Sequence, residues 1–295
     1  MHRILLLLLC AAVVSRAADG APRKLAFARG GALYVAGLDG SSPKKITTGS
    51  WPNLSPDGKR LAFNTEDPTG KSPERAIAIA DVATAQVTLV PNIPSKIAHG
   101  PVWSPDGTQL LFQIHADNDW HIAIINADGS DFRFVKKAEA DHRSYFSVAW
   151  APDGKGFYCQ DLDTIYHLGL NGALQEQWPV AKLFPRGSLS SGSRLAVSPN
   201  DGTLLADVEM DEETERKDWD GPPPAIWSLN LANGRATRVT PKGLFAWEPC
   251  WVNPEVILCI IQVAGAKEPS IYRMTADGKT RQALIKNARD ASVSR

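Results

Sequence analysis

The chain has 295 residues, with 32 Lys+Arg against 32 Asp+Glu, so its formal net charge is zero. That balance gives no electrostatic reason to expect nucleic acid or an anionic membrane surface as a partner. At 43% hydrophobic residues, the composition is that of a globular protein with a sizeable core, neither disordered nor fibrous.

The first stretch does not read as part of a fold. Met1-His2-Arg3 is a short positive start, Ile4 to Val14 is an apolar run, and Ser15-Arg16-Ala17 places small residues where a signal peptidase reads. Residues 1–17 are therefore expected to be a secretory signal peptide, cleaved after Ala17 to leave residues 18–295 as the mature domain. The run is too short for a membrane span, and no later stretch is long and apolar enough for one. Cys10 follows Leu9, not the small residue that a lipidation signal needs. The expected location is periplasmic or secreted, with no transmembrane segment in the mature chain.

Beyond this segment one pattern recurs. Leu54-Ser55-Pro56-Asp57-Gly58 precedes Arg60-Leu61-Ala62-Phe63, and Trp103-Ser104-Pro105-Asp106-Gly107 precedes Gln109-Leu110-Leu111-Phe112. Trp150-Ala151-Pro152-Asp153-Gly154 is a third copy, and Ser198-Pro199-Asn200-Asp201-Gly202 is a fourth, read with one inserted residue. Trp251-Val252-Asn253-Pro254-Glu255 is a degenerate fifth. Proline presets φ for a turn, Asp bonds the local backbone and Gly takes the left-handed position, so each copy predicts a β-hairpin. The marker prolines are spaced by 49, 47, 47 and 55 residues. Later in each unit an alternating apolar strand ends in a second turn, as in Ile122 to Gly129, Ile165 to Gly172 and Ile271 to Gly278. Four strands per unit at a period near ~47 make a propeller blade.

Lys24 to Ala28 resembles a second strand, so the first unit lacks its own innermost strand. The tail Asp290 to Arg295 lies where a next inner strand begins. The expected fold is all-β: a six-bladed β-propeller of four-stranded antiparallel blades, its ring closed by the C-terminal strand so that no edge is left open.

Three cysteines follow the signal segment: Cys159, Cys250 and Cys259. Export permits a disulfide. If the hairpin centre falls between Pro254 and Glu255, Cys250 and Cys259 face each other. A cross-strand bridge and two buried free thiols both remain open. Cys159 reads as a small core residue.

The Ser-Pro-Asp-Gly and Asp-Gly turns resemble those of TolB-type, or WD40-like, propellers over nearly all of residues 24–295. The resemblance implies an exported propeller. TolB itself binds a lipoprotein partner within an envelope-spanning complex and carries an α/β domain ahead of its propeller. Only a few residues separate the signal segment from Lys24 here, so no such domain is expected.

In a propeller the second-to-third-strand loops and the blade-to-blade connections line one face, and the Ser-Pro turns line the other. Asp57, Asp106 and Asp153 are then turn caps. The loop face gathers Glu66 and Asp67, His115 with Asp117 and Asp119, Asp161 with Asp163, and the acidic segment Glu209 to Pro224, which contains Trp219. Such a set attracts a cation or a basic peptide, or is simply a solvated face. The starts of the inner strands place Trp51, His99, Tyr145 and Trp247, beside Glu248, as an aromatic rim or as packing between blades. His99 and His142 are the histidines nearest the channel, but no short motif has metal-ligand spacing. No nucleophile elbow or phosphate loop is present. Two functions remain. The first is a non-catalytic scaffold holding an envelope protein or peptide, with no cofactor. The second is a metal-dependent polysaccharide lyase or hydrolase, for which a divalent cation would be the cofactor.

Overall fold

The computed structural model describes residues 23–66, 71–138, 143–212 and 216–295; the signal segment, Asp67 and His142 lie outside them. Six antiparallel sheets surround one axis, and each inner strand touches the inner strand of the next sheet until the ring closes. The inner strands, in chain order, are Ser50–Leu54, Ala98–Trp103, Phe146–Trp150, Leu195–Val197, Phe245–Asn253 and Arg289–Val293. The last of these pairs with Lys24–Arg29, so the C-terminal segment completes the first blade. Ser292 reinforces the closure, because its Oγ accepts from Leu54 N at 2.9 Å across the seam. Among the described residues no helix is long and apolar enough to cross a membrane.

The recurrent hairpin has one geometry. In the third blade, Ser104 N donates to Gln109 O (2.9 Å) and Gly107 N to Ser104 O (2.9 Å). Ser104 Oγ donates to Asp106 Oδ1 (2.6 Å) and accepts from Gln109 N (2.9 Å). These bonds hold the Asp57 and Asp106 carboxyls below their usual range, the serine hydroxyl contributing most. Ser198 accepts from Thr203 N at 2.9 Å, five residues on, as Ser104 does from Gln109. The fourth copy therefore has no inserted residue. Asn200 takes the aspartate's place, accepting from Ser198 Oγ at 2.7 Å, and Asp201 takes the glycine's, with φ 54°.

The tryptophan that ends several inner strands is a clamp between blades. Nε1 of Trp103, Trp150 and Trp251 donates to the carbonyls of Asn53, Val102 and Ala196 on the preceding inner strand. Fully buried leucine, isoleucine and phenylalanine from adjacent sheets fill the spaces between blades.

Two inner strands depart from simple pairing: the fifth blade's is interrupted and the sixth blade's is bulged. In the fifth blade the inner strand is interrupted at Ser190-Ser191-Gly192. That stretch is a turn, with Ser193 N bonded to Ser190 O at 3.1 Å, between the short pieces Gly187–Ser188 and Leu195–Val197. In the sixth blade, register shifts leave Cys250 opposite Leu258 instead of Cys259. A one-residue slip sends neighbouring side chains to opposite faces. Cys250 packs toward the first blade and Cys259 toward the fifth, so the bridge is absent and both are free thiols. Burial pushes their pKa values up to about 11 and about 12.

Candidate binding site at the channel mouth

Each inner strand except the fifth carries a register shift near its start, and the shifted residue has left-handed backbone: Trp51 (φ 54°), Gly100 (64°), Ser147 (56°), Glu248 (52°) and Asp290 (58°). Arg194 holds the corresponding place in the fifth blade, one residue before Leu195–Val197. Six residues, one per blade, thus ring the channel below the loop face. Four are non-glycine residues at φ > 0, a conformation that costs on the order of 1 kcal/mol each and that clusters at functional sites.

Polar ends of the second strands hold this ring. Asn64 Oδ1 accepts from Gly100 N (2.8 Å), Gln160 Nε2 donates to Ser190 O (2.9 Å), and Asp207 Oδ2 accepts from Glu248 N (3.3 Å). All three side chains are buried, so each is placed to orient its neighbour and not to meet a ligand.

Arg194 is the centre. Its guanidinium lies 3.6 Å over the Trp51 ring, bonds Asp290 and sits 3.6 Å from Glu248 Oε1, while its backbone N donates to Asp207. It therefore spans the channel from the fifth blade to the first, second and sixth. Burial works against its charge, but Glu248, Asp290 and Asp207 together hold its pKa above the ordinary value. Burial raises Glu248 to about 7, with Arg194 pulling the other way, and raises Asp207 to about 6. Arg194 Nε has no hydrogen-bond partner.

Two part-exposed aromatic arcs flank this centre. On one side Trp51 meets His99 edge-on at 4.3 Å, and Trp120 lies 6.5 Å from His99 and 5.3 Å from His115. Burial, then Arg75 and Arg194, lowers the His99 pKa to about 4, so that ring is neutral at pH 7. On the other side Trp219 folds back from its polar loop onto Phe245 (5.1 Å) and Trp247 (5.6 Å), its Nε1 donating to Pro222 O (3.2 Å).

The structure brings together Trp51, His99, Trp247 and Glu248 from the sequence set, and joins Trp219 to Trp247. It removes Tyr145 from the rim: the ring is buried between the third and fourth blades, beside Tyr166 (5.9 Å) and with Lys136 over it. The strand there starts one residue later, at Phe146, so Tyr145 turns away from the mouth. Asp161 is also committed: it is buried, paired with Arg143 (3.1 Å) and bonded to Tyr166 Oη (2.7 Å) and to the backbone of its own turn. Asp117 and Asn118 have φ 51° and 70°, the two-residue hairpin turn that favours such residues. Asp119 lies 3.5 Å from Ser144 Oγ, and Asp163 is exposed at a turn. Asp117 with Asp119, and Asp161 with Asp163, thus sit in the second-to-third-strand turns of the third and fourth blades. Among the described residues no three His, Cys, Asp or Glu side chains converge as a metal ion requires. Sequence reasoning missed Arg194, Asp207, Asp290 and Trp120. The first and third share the repeat position of Trp51 and Glu248, and that alignment was the signal available.

No family profile matches the chain. Its fold is shared with TolB from Acinetobacter baumannii, at TM-score 0.70 and 17% identity over 94% of this chain and 67% of that one. A chain of a nidogen/laminin complex matches at TM-score 0.65 and 12% identity, over 92% and 98% of the respective chains. An oligogalacturonate lyase from Vibrio parahaemolyticus matches at TM-score 0.53 and 17% identity, over 82% and 71%. At these identities the likeness establishes a TolB-like six-bladed propeller and nothing about chemistry.

Proposed function

We propose that this chain is an exported, non-catalytic propeller that holds a protein or peptide of the cell envelope over its channel mouth. The observation that carries this reading is the pair of part-exposed aromatic arcs, Trp51-His99-Trp120 and Trp219-Trp247, on either side of a charged centre in which two carboxylates, Glu248 and Asp290, meet one guanidinium. Aromatic anchors around a polar centre suit a protein surface, and the excess of carboxylates suits a basic side chain on the partner. Export rests on residues 1–17, and amino-terminal sequencing of the mature protein tests it, with Ala18 as the expected first residue.

The binding reading is tested by placing a photo-crosslinking residue at position 220, beside Trp219, and irradiating intact cells. The expected result is one crosslinked envelope protein, lost in Trp219→Ala and Trp247→Ala. No crosslink, or one that both variants leave unchanged, overturns the reading. The carbohydrate enzyme is a second reading, supported by the lyase neighbour. Stoichiometric metal in the purified protein, together with a chelator-dependent melting temperature, would favour it.

A further inference from the structure

Below the ring of Arg194 and Trp51 the channel holds a cavity of about 210 Å³, lined by all six inner strands. Its wall contains three arginines, Arg23, Arg194 and Arg295, and no acidic side chain. The carboxylates of Asp207, Glu248 and Asp290 all lie outside that wall. The charge of Arg194 is met by these acids, but among the described residues no carboxylate side chain pairs with Arg23 or Arg295. Arg23 donates Nε to Ser294 O (2.9 Å), which fixes its head at the channel rim.

The remaining wall combines apolar side chains with polar groups of Asn53, Gln113, Ser147 and Ser292. Pro52, Pro101 and Pro249 lie on inner-strand edges that face the axis, where proline removes an N–H that no sheet partner would satisfy. Pro56 and Pro199, from the Ser-Pro turns, mark the lower rim, and Arg295 is exposed there. The cavity is therefore a tube of mixed lining, with Arg23 and Arg295 at its lower opening and no acidic side chain in its wall. A guanidinium shares a planar two-donor geometry with carboxylate. A cavity near 150 Å³ takes benzene, so this one takes a body slightly larger than that.

We propose that the lower channel binds a small organic carboxylate, entering from the face of the Ser-Pro turns with its apolar body inward and its anionic head on Arg23 and Arg295. This site is distinct from the channel mouth on the loop face, and its failure would leave the proposed partner binding untouched.

The probe is benzoate, with benzamide as its neutral twin, titrated calorimetrically into the full-length protein carrying Cys10→Ser. Benzoate should saturate, and benzamide should bind at least about tenfold more weakly. Arg23→Gln and Arg295→Gln should each weaken benzoate by about fivefold or more while melting like the parent. Cys250 lines the cavity, whereas Cys159 and Cys259 are wholly buried, so alkylation of Cys250 by iodoacetamide locates the ligand. Benzoate should slow that reaction with a midpoint equal to its calorimetric Kd. Absence of saturation by about 20 mM, equal binding of benzamide, indifference to both variants, or binding that leaves Cys250 unprotected would each overturn the proposal.

Discussion

Arg194→Met should destabilise the protein far more at pH 8 than at pH 5. In the folded chain Glu248 sits near 7 and Asp207 near 6, both raised first by burial. An acid whose folded pKa is raised keeps its proton to a higher pH than the unfolded chain does. Its contribution to stability is full below the unfolded value and is lost as pH climbs through the folded one. For Glu248, from 4.5 to about 7, the loss in the parent protein is about 3 kcal/mol, at 1.36 kcal/mol per unit. Arg194 is the cation that limits this rise. Without it, at pH 8, the buried carboxylates either stand uncompensated or take up protons against the solvent, which costs about 3–5 kcal/mol for a broken buried pair. At pH 5 Glu248 and Asp207 are already protonated when folded. What is lost there is the Trp51 stack and the bond to Asp290, about 2 kcal/mol together. Urea unfolding at both pH values measures the two differences. Adding Glu248→Gln to the variant should restore at least about 1 kcal/mol at pH 8. Equal destabilisation at pH 5 and pH 8 would refute the view that Arg194 is held by these acids.

Ending the chain after Lys286 removes the strand Arg289–Val293 and opens the ring, exposing the edge of Lys24–Arg29. Lost pairing and burial of about 5 kcal/mol should lower Tm by at least about 10 °C, and a melt at the parent temperature would contradict ring closure. Asp106→Ala removes an acceptor for Ser104 Oγ, Thr108 N and Thr108 Oγ1. It should cost about 1–2 kcal/mol in urea without touching partner capture, since the turn lies on the face opposite the channel mouth. Trp219→Ala should change stability by no more than about 1 kcal/mol yet abolish the crosslink, and a large loss of stability would recast Trp219 as structural.

The fold was legible because the turn that builds it is written in residue types that only a turn demands. Serine at the first position, proline next and a left-handed residue at the fourth recur near ~47 residues, and that spacing names a propeller. The fourth copy, Ser198 to Gly202, looked irregular by letters, yet it is regular in space because Asn200 and Asp201 meet the same two demands as Asp106 and Gly107. Ring closure was legible for the complementary reason that a strand was missing at one end and surplus at the other.

The candidate site was only half legible, and the bulge explains why. A register shift changes which face a side chain reaches without changing the alternation that the eye follows along the strand. That step undoes the facing of Cys250 and Cys259 that a regular hairpin implies, whereas Tyr145 lies ahead of the shifted segment and packs between blades. Glu248 and Trp51 were placed rightly, but without the residue that joins them. The backbone at the bulge is fixed by the fold, whereas the side chain there is free to vary: Trp51, Gly100, Ser147, Arg194, Glu248 and Asp290 share a place and, apart from the two acids, no chemistry. A repeat scaffold thus leaves the same position open in every blade, and function is composed from what six unlike residues do when the ring brings them within reach. Arg194 shows the consequence: Asp207 meets its backbone within the same blade, Glu248 reaches its guanidinium from the next blade, and only closure of the ring adds Asp290.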